Sequence, residues 1–167
     1  MSVTVFPNWK SEHWALAIVL VAGLVLGEAL ILEHGYNLAP CPLCLMQRIW
    51  IFVAAAFAYL SLMHNPRLGI YPVATGIAAI IGAGFSIRQL WLQSLPPGEA
   101  PACGPSIDYM IGNFPFTEVL QTMMSGTGDC AKVSWQLFGI SLPGWALLAY
   151  LTILVLAYMQ WQRKRQA

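Results

Sequence analysis

Residues 68–87 read Leu68-Gly69-Ile70-Tyr71-Pro72-Val73-Ala74-Thr75-Gly76-Ile77-Ala78-Ala79-Ile80-Ile81-Gly82-Ala83-Gly84-Phe85-Ser86-Ile87, without a single charge. At about 1.5 Å of rise per residue such a run is about 30 Å long as a helix, the depth of a bilayer's hydrocarbon core. Three further blocks match it. Residues 14–32 carry one charge, Glu28, and residues 45–63 carry one, Arg48, near the start. The chain is again uncharged from 133 to 162, and 143–161 is its most helical part, with Pro143 tolerated in a first turn. The pattern predicts an all-α membrane protein: one integral domain over residues 1–167, folded as a four-transmembrane-helix bundle.

Composition agrees. Of 167 residues, 58% are hydrophobic and 9% charged, with a net charge of +1. Soluble domains average about 25% charged residues. Disordered chains and nucleic-acid binders need more charge than this, so no nucleic-acid partner is expected. The blocks are too long for the roughly ten-residue strands of a membrane barrel. Residues 33–44 and 64–67 form short connections, which makes neighbouring helices antiparallel. Residues 88–142 form a long one, with five prolines and six glycines. Such a segment belongs outside the hydrocarbon. Within it, residues 114–124 read as a short amphipathic helix for the membrane surface.

Four spans place both termini on one side. Lys10, Arg67, Arg163, Lys164 and Arg165 lie there, against Arg48, Arg88 and Lys132 on the other. The positive-inside rule makes the termini cytoplasmic. The first block lacks a basic leader and a small-residue cleavage site, so it reads as a retained span.

All four cysteines, Cys41, Cys44, Cys103 and Cys130, then fall in the two non-cytoplasmic loops. In a bacterium this is the oxidising periplasm. Two per loop suggests one pair in each, although four cysteines allow three connectivities. Cys41-Pro42-Leu43-Cys44 sits where the second span begins. A bridge across so small a ring restrains little chain, so it serves poorly as a staple. A helix N-terminus favours a thiolate, and Arg48, four residues on, shares the face of Cys44 and adds a positive charge. A half zinc site, an inert bridge and an Arg48 that only snorkels to headgroups are the competing readings.

Cys103, in Pro101-Ala102-Cys103-Gly104-Pro105, is expected to be exposed to a partner. Cys130 follows Gly126-Thr127-Gly128-Asp129, which reads as a flexible approach that lets it travel to Cys41 or Cys44. A purely stabilising bridge between Cys103 and Cys130 competes with that view. Disulfide exchange also needs an electron sink. The three histidines, His13, His34 and His64, sit near span ends or in loops, and no dinucleotide fingerprint or further cysteine is present. Haem, flavin and metal are therefore not expected. A quinone needs only an apolar slot and a few polar groups, for which Arg48, Arg88, Gln89 and Trp91 are candidates. Trp50 and Trp91 also read as interfacial belt residues. Glu28 reads as a hydrogen-bonded packing residue before a proton carrier.

In this order, Cys41-Pro42-Leu43-Cys44 with Arg48, Trp91-Leu92-Gln93, Pro101-Ala102-Cys103-Gly104-Pro105, Gly128-Asp129-Cys130 and Gly139, the chain resembles the DsbB family of bacterial inner-membrane disulfide bond formation proteins. The resemblance spans nearly its whole length. It implies redox-active disulfides Cys41 with Cys44 and Cys103 with Cys130. A reduced DsbA-like periplasmic protein would attack at Cys103, and Cys130 would bond transiently to Cys41. Cys44 would then pass electrons to ubiquinone or menaquinone from the membrane pool, with Arg48 holding the quinone. Where many members have a histidine beside the quinone, this chain has Gln89, which donates a hydrogen bond but does not titrate near neutral pH. Two rivals are a non-enzymatic four-span protein with two structural disulfides, and a VKOR-like oxidoreductase, in which the loop pair usually precedes the C-x-x-C.

Overall fold

The computed structural model describes residues 10–64, 69–96, 99–105 and 107–166. Four long helices dominate it: α1 (Ser11–Tyr36), α2 (Pro42–Met63), α3 (Ile70–Gln93) and, last in the chain, α6 (Leu142–Gln166). All four are long and apolar enough to cross a membrane. Two short helices, α4 (Ile107–Asn113) and α5 (Phe116–Ser125), a 3₁₀ turn at Gly128–Ala131 and a two-stranded hairpin fill the long connection. The protein is thus the expected all-α four-span bundle. Arg67 and the expected start of the third span at Leu68 lie outside the described residues, as do the side chains of Arg163, Lys164 and Arg165.

The helices form a closed ring. α1 packs on α2, α2 on α3, α3 on α6 and α6 back on α1. Ala22, Ala54, Ala58, Ala78, Ala79, Ala83 and Ala157 line the core with Ile18, Ile51, Ile153 and Tyr150, whereas Leu20, Leu24, Phe52, Tyr59, Ile77, Ile80, Leu151 and Val155 face outward. Large apolar side chains outside and small ones within are what lipid-solvated helices require, since close backbone approach rather than water exclusion drives their association. The tightest approach is at Gly82, where an added Cβ would lie 2.1 Å from the Tyr150 ring. Nearer the opposite end, the buried Gln160 donates to Ser61 Oγ at 2.9 Å and ties α6 to α2.

Several helix ends and one side chain differ from expectation: α1 and α2 begin at Ser11 and Pro42 rather than at 14 and 45, and α6 runs on past 161 to Gln166. α1 continues past residue 32 to Tyr36, where Asn37 caps it at φ 52°, and α3 continues past residue 87 to Gln93. Hydropathy marks where lipid ends, but the backbone ladder continues until a left-handed residue or a turn stops it. The amphipathic helix starts at Phe116, with Pro115 as its N-cap, and turns Phe116, Leu120 and Met124 outward while burying Val119. α4 and the hairpin Gln136–Leu137/Ile140–Ser141 were not expected, being too short to show a periodicity. Glu28 is exposed on α1 rather than packed, because the core face of that helix runs through Ala15, Ile18 and Ala22. Trp50 packs partly buried against the core.

Gly82→Ala is expected to destabilise the bundle by about 1–3 kcal/mol, the usual cost of overpacking, because the new methyl must displace the Tyr150 ring. Thermal unfolding in detergent measures it, and an unchanged midpoint would show that Tyr150 moves without cost.

Candidate functional site

The cysteines gather at the end of the bundle where α1 stops and α2 and α6 begin. Cys41 is the N-cap of α2, Pro42 occupies its first turn, and Cys44 follows within that turn. The two sulfurs are 3.0 Å apart and half-buried. Among the described residues all four cysteines are free thiols.

Opposite them stands α3. Gln89, fully inside the protein, directs its amide Nε2 to Cys44 Sγ at 3.2 Å and to Cys41 Sγ at 3.4 Å. Its Oε1 accepts from Gln47 Nε2 at 2.7 Å, and Cys44 Sγ lies 3.6 Å from the same oxygen. Gln89 thus reaches the dithiol directly. Gln47 did not emerge from the sequence, although a polar residue on the Cys44 face of an apolar span was the available signal.

Arg48 turns away from its expected place beside Cys44. Its guanidinium pairs with Glu33 and donates to the Ala29 carbonyl at 3.1 Å, both on α1. A cation half-withdrawn from water takes the nearest carboxylate, and Glu33 at the end of α1 supplies one. Arg88 is also drawn elsewhere. Its Nε donates to the Ser125 carbonyl at 3.4 Å, and its guanidinium lies 4.6 Å over the Trp91 ring, against α5 rather than the dithiol.

The long connection folds back over this end. Cys130 is fully buried with Leu43 and Leu92, and Cys41 packs against that cluster. The Gly126-Thr127-Gly128 stretch proves to be a fitted contact rather than a slack tether. Gly126 has φ 81°, and a Cβ there would lie 2.7 Å from Leu43 Cδ1; one on Gly128 would lie 2.2 Å from the Pro101 carbonyl. Gly128 N–H donates to the Ala102 carbonyl at 3.2 Å, so the segment that carries Cys103 lies against the turn that carries Cys130. Cys103 itself is exposed.

The electrostatics follow from these contacts. The hydrogen bond from Cys41 holds Cys130 down to about 6, against burial, with further bonds to the backbone at Leu43 and Thr127. Cys41 is pushed above the ordinary thiol range, first by its bond to Cys130 and then by that to Cys44. Cys41 has one proton and a sulfur neighbour on each side. Three sulfurs therefore stand in a row, Cys44, Cys41 and Cys130, with Cys103 outside. Beside Cys103, Asp129 is held below the usual carboxylate range by Lys132, 3.0 Å away, and then by the Cys103 thiol.

A family model described as "Disulfide bond formation protein DsbB" matches residues 11–160. The chain belongs to the DsbB family. Among its relatives is "Disulfide bond formation protein B" of Hahella chejuensis, 41% identical over 164 residues, covering 95% of this chain and 98% of that protein. The protein of the same name in Marinobacter nauticus is 43% identical over 151 residues, 87% of this chain and 89% of the relative. "Disulfide bond formation protein B 1" of Pseudomonas aeruginosa PAO1 is 40% identical over 161 residues, 95% and 99%. No solved structure matches the chain. A member of the DsbB family with four apolar helices is a multi-pass membrane protein of disulfide bond formation, and its chemistry is that of a disulfide oxidoreductase.

The sulfur row predicts a pH dependence. With Cys44 and Cys103 both replaced by Ser, the reduced protein should gain one thiolate, by ultraviolet absorbance, with a midpoint near 6. Because the folded value is depressed, the stabilisation from this ionised contact is lost as pH falls through about 6. Adding Cys41→Ala should move the midpoint up toward 9.0, and an unmoved midpoint would remove Cys41 as the cause.

Proposed function

We propose that the chain is a thiol:quinone oxidoreductase of the bacterial inner membrane that re-oxidises a periplasmic thioredoxin-like dithiol protein of the DsbA type. The observation that carries this reading is the row of three sulfurs with a fourth exposed beside it. Exchange proceeds only when one sulfur reaches another through a mixed disulfide. Exposed Cys103 suits attack by a partner thiolate, and Cys130, lodged against Cys41, suits transfer from the long loop to the C-x-x-C pair. Bracing disulfides would have no use for cysteines of two different loops in one row.

In this scheme Cys103 with Cys130 and Cys41 with Cys44 are the two redox pairs. The partner's two thiols become a disulfide, and two electrons and two protons leave at Cys44. A ubiquinone or menaquinone, when bound, supplies the two-electron acceptor. The donors at this end fit such a group: the neutral Gln89 amide stands at the sulfurs, and Arg48 has five N–H groups, of which Glu33 and Ala29 engage only part. Arg48 would hold the acceptor at the rim between α1 and α2, while Glu33 keeps the guanidinium there. Gln89 would steady negative charge on Cys44. Arg88, set against α5 and Trp91, would serve the bundle's membrane rim, where the outward Phe116, Leu120 and Met124 suit contact with lipid. Both termini would be cytoplasmic and the cysteines periplasmic, as the basic residues favour.

Purified protein should oxidise a reduced thioredoxin-like substrate only when quinone is supplied, and Cys44→Ser and Cys103→Ser should each abolish turnover. Full turnover in either variant would exclude the relay. Arg48→Ala should raise the KM for quinone more than that for the thiol protein, and equal effects would take Arg48 out of quinone binding.

A further inference from the structure

We propose that Gln47 is a positioning residue for the Cys41–Cys44 dithiol, acting through Gln89. The proposal deepens the reading above, since it rests on Cys44 working as a thiolate.

A glutamine amide has two ends of nearly the same shape and opposite character. If Gln89 offered its oxygen to the sulfurs, it would repel a thiolate; offering its nitrogen, it favours one. Nothing in Gln89 alone decides between them. Gln47 does, because its Nε2 donates to Gln89 Oε1 at 2.7 Å and so commits the oxygen. The nitrogen is left 3.2 Å from Cys44 Sγ and 3.4 Å from Cys41 Sγ. Both glutamines are buried, so water does not stand in for the missing donor if Gln47 is lost. Gln47 is three residues beyond Cys44, on the same face of α2. Its backbone is fixed independently of its side chain, by the Tyr150 hydroxyl donating to its carbonyl. The longer 3.6 Å approach of Cys44 Sγ to Oε1 is the contact open to the protonated thiol. The shorter nitrogen contact makes the anion the better-served state.

Among the titratable and charged groups around Cys44, Cys41 is also a donor, its thiol lying 3.0 Å from Cys44 Sγ, and Cys130 lies beyond Cys41 in the 3₁₀ turn. Arg48 on α2 is paired with Glu33 of α1, and on α3 Arg88 turns to α5. Beside the Cys41 thiol, a pair of neutral amides therefore provides the second directed donor at this sulfur, the one that does not change its own protonation.

The test uses reduced full-length protein in detergent, with neither quinone nor thiol partner. Iodoacetamide labelling of Cys44 is followed by mass spectrometry, with exposed Cys103 as the internal control. At neutral pH, Gln47→Leu should label Cys44 several-fold more slowly, up to the ten-fold that about one pH unit of lost thiolate represents. Gln47→Glu, nearly isosteric but acceptor-only, should slow it at least as much by drawing the Gln89 nitrogen away. In alkaline buffer the rates should converge with the parent, which a change in access alone would not produce. Gln89→Leu should match Gln47→Leu, and the double variant should be no slower than Gln89→Leu. Unchanged labelling in both Gln47 variants, slowing that persists in alkali, or additive losses in the double variant would overturn the proposal. Because the assay contains no quinone or partner, a failed relay leaves its outcome unaffected, and a working relay does not rescue it.

Discussion

The contact between Tyr150 and Gly82 sets the geometry on which the rest depends. With no side chain on Gly82, the Tyr150 ring of α6 lies against the backbone of α3, and its hydroxyl donates to the Gln47 carbonyl of α2. Three helices are thereby joined at one level. In hydrocarbon a buried hydroxyl needs a partner, and the second lone pair of a helix carbonyl provides one without breaking the ladder. The height of α2 relative to α3 decides whether an amide seven residues beyond Gly82 meets a thiol three residues before Gln47.

At the end of the bundle, rigid helices hold one half of the chemistry and a close-packed loop holds the other. Pro42 starts α2, and Cys41 and Cys44 flank that start. Gly126 lets the loop sink onto Leu43 and Leu92, which brings the turn with Cys130 to Cys41. Tight fitting of the loop leaves Cys103 at the surface and Cys130 inside. The two cysteines of one loop are thus assigned to different neighbours, one to solvent and one to the helix-borne pair.

Charge at this site is distributed sparingly. Arg48 is balanced by Glu33 on α1, and Arg88 is spent on Trp91 and the end of α5. What meets the sulfurs is a neutral amide held by a second neutral amide. Such donors favour an anion when it forms, yet leave no buried charge when it is absent, which suits a group that changes its oxidation state repeatedly.

By itself the sequence determined the four spans, the placing of all four cysteines at one end, the exposed setting of Cys103 and the family, because apolar runs and a C-x-x-C pair at a helix start are local patterns. It also marked Gln89, as a polar residue at the matching end of the third span. Only the tertiary structure decided which polar side chain meets which sulfur. Arg48 lies one turn from Cys44 in the chain, but the carboxylate that captures it comes from α1, and chain spacing contains no record of that neighbour. Gly126 and Gly128 look like slack in one dimension and prove to be clearance in three, since what a missing Cβ avoids is an atom from a distant segment. Gln47 stayed hidden for the same reason: its significance is Gln89, forty-two residues away along the chain and one hydrogen bond away in space.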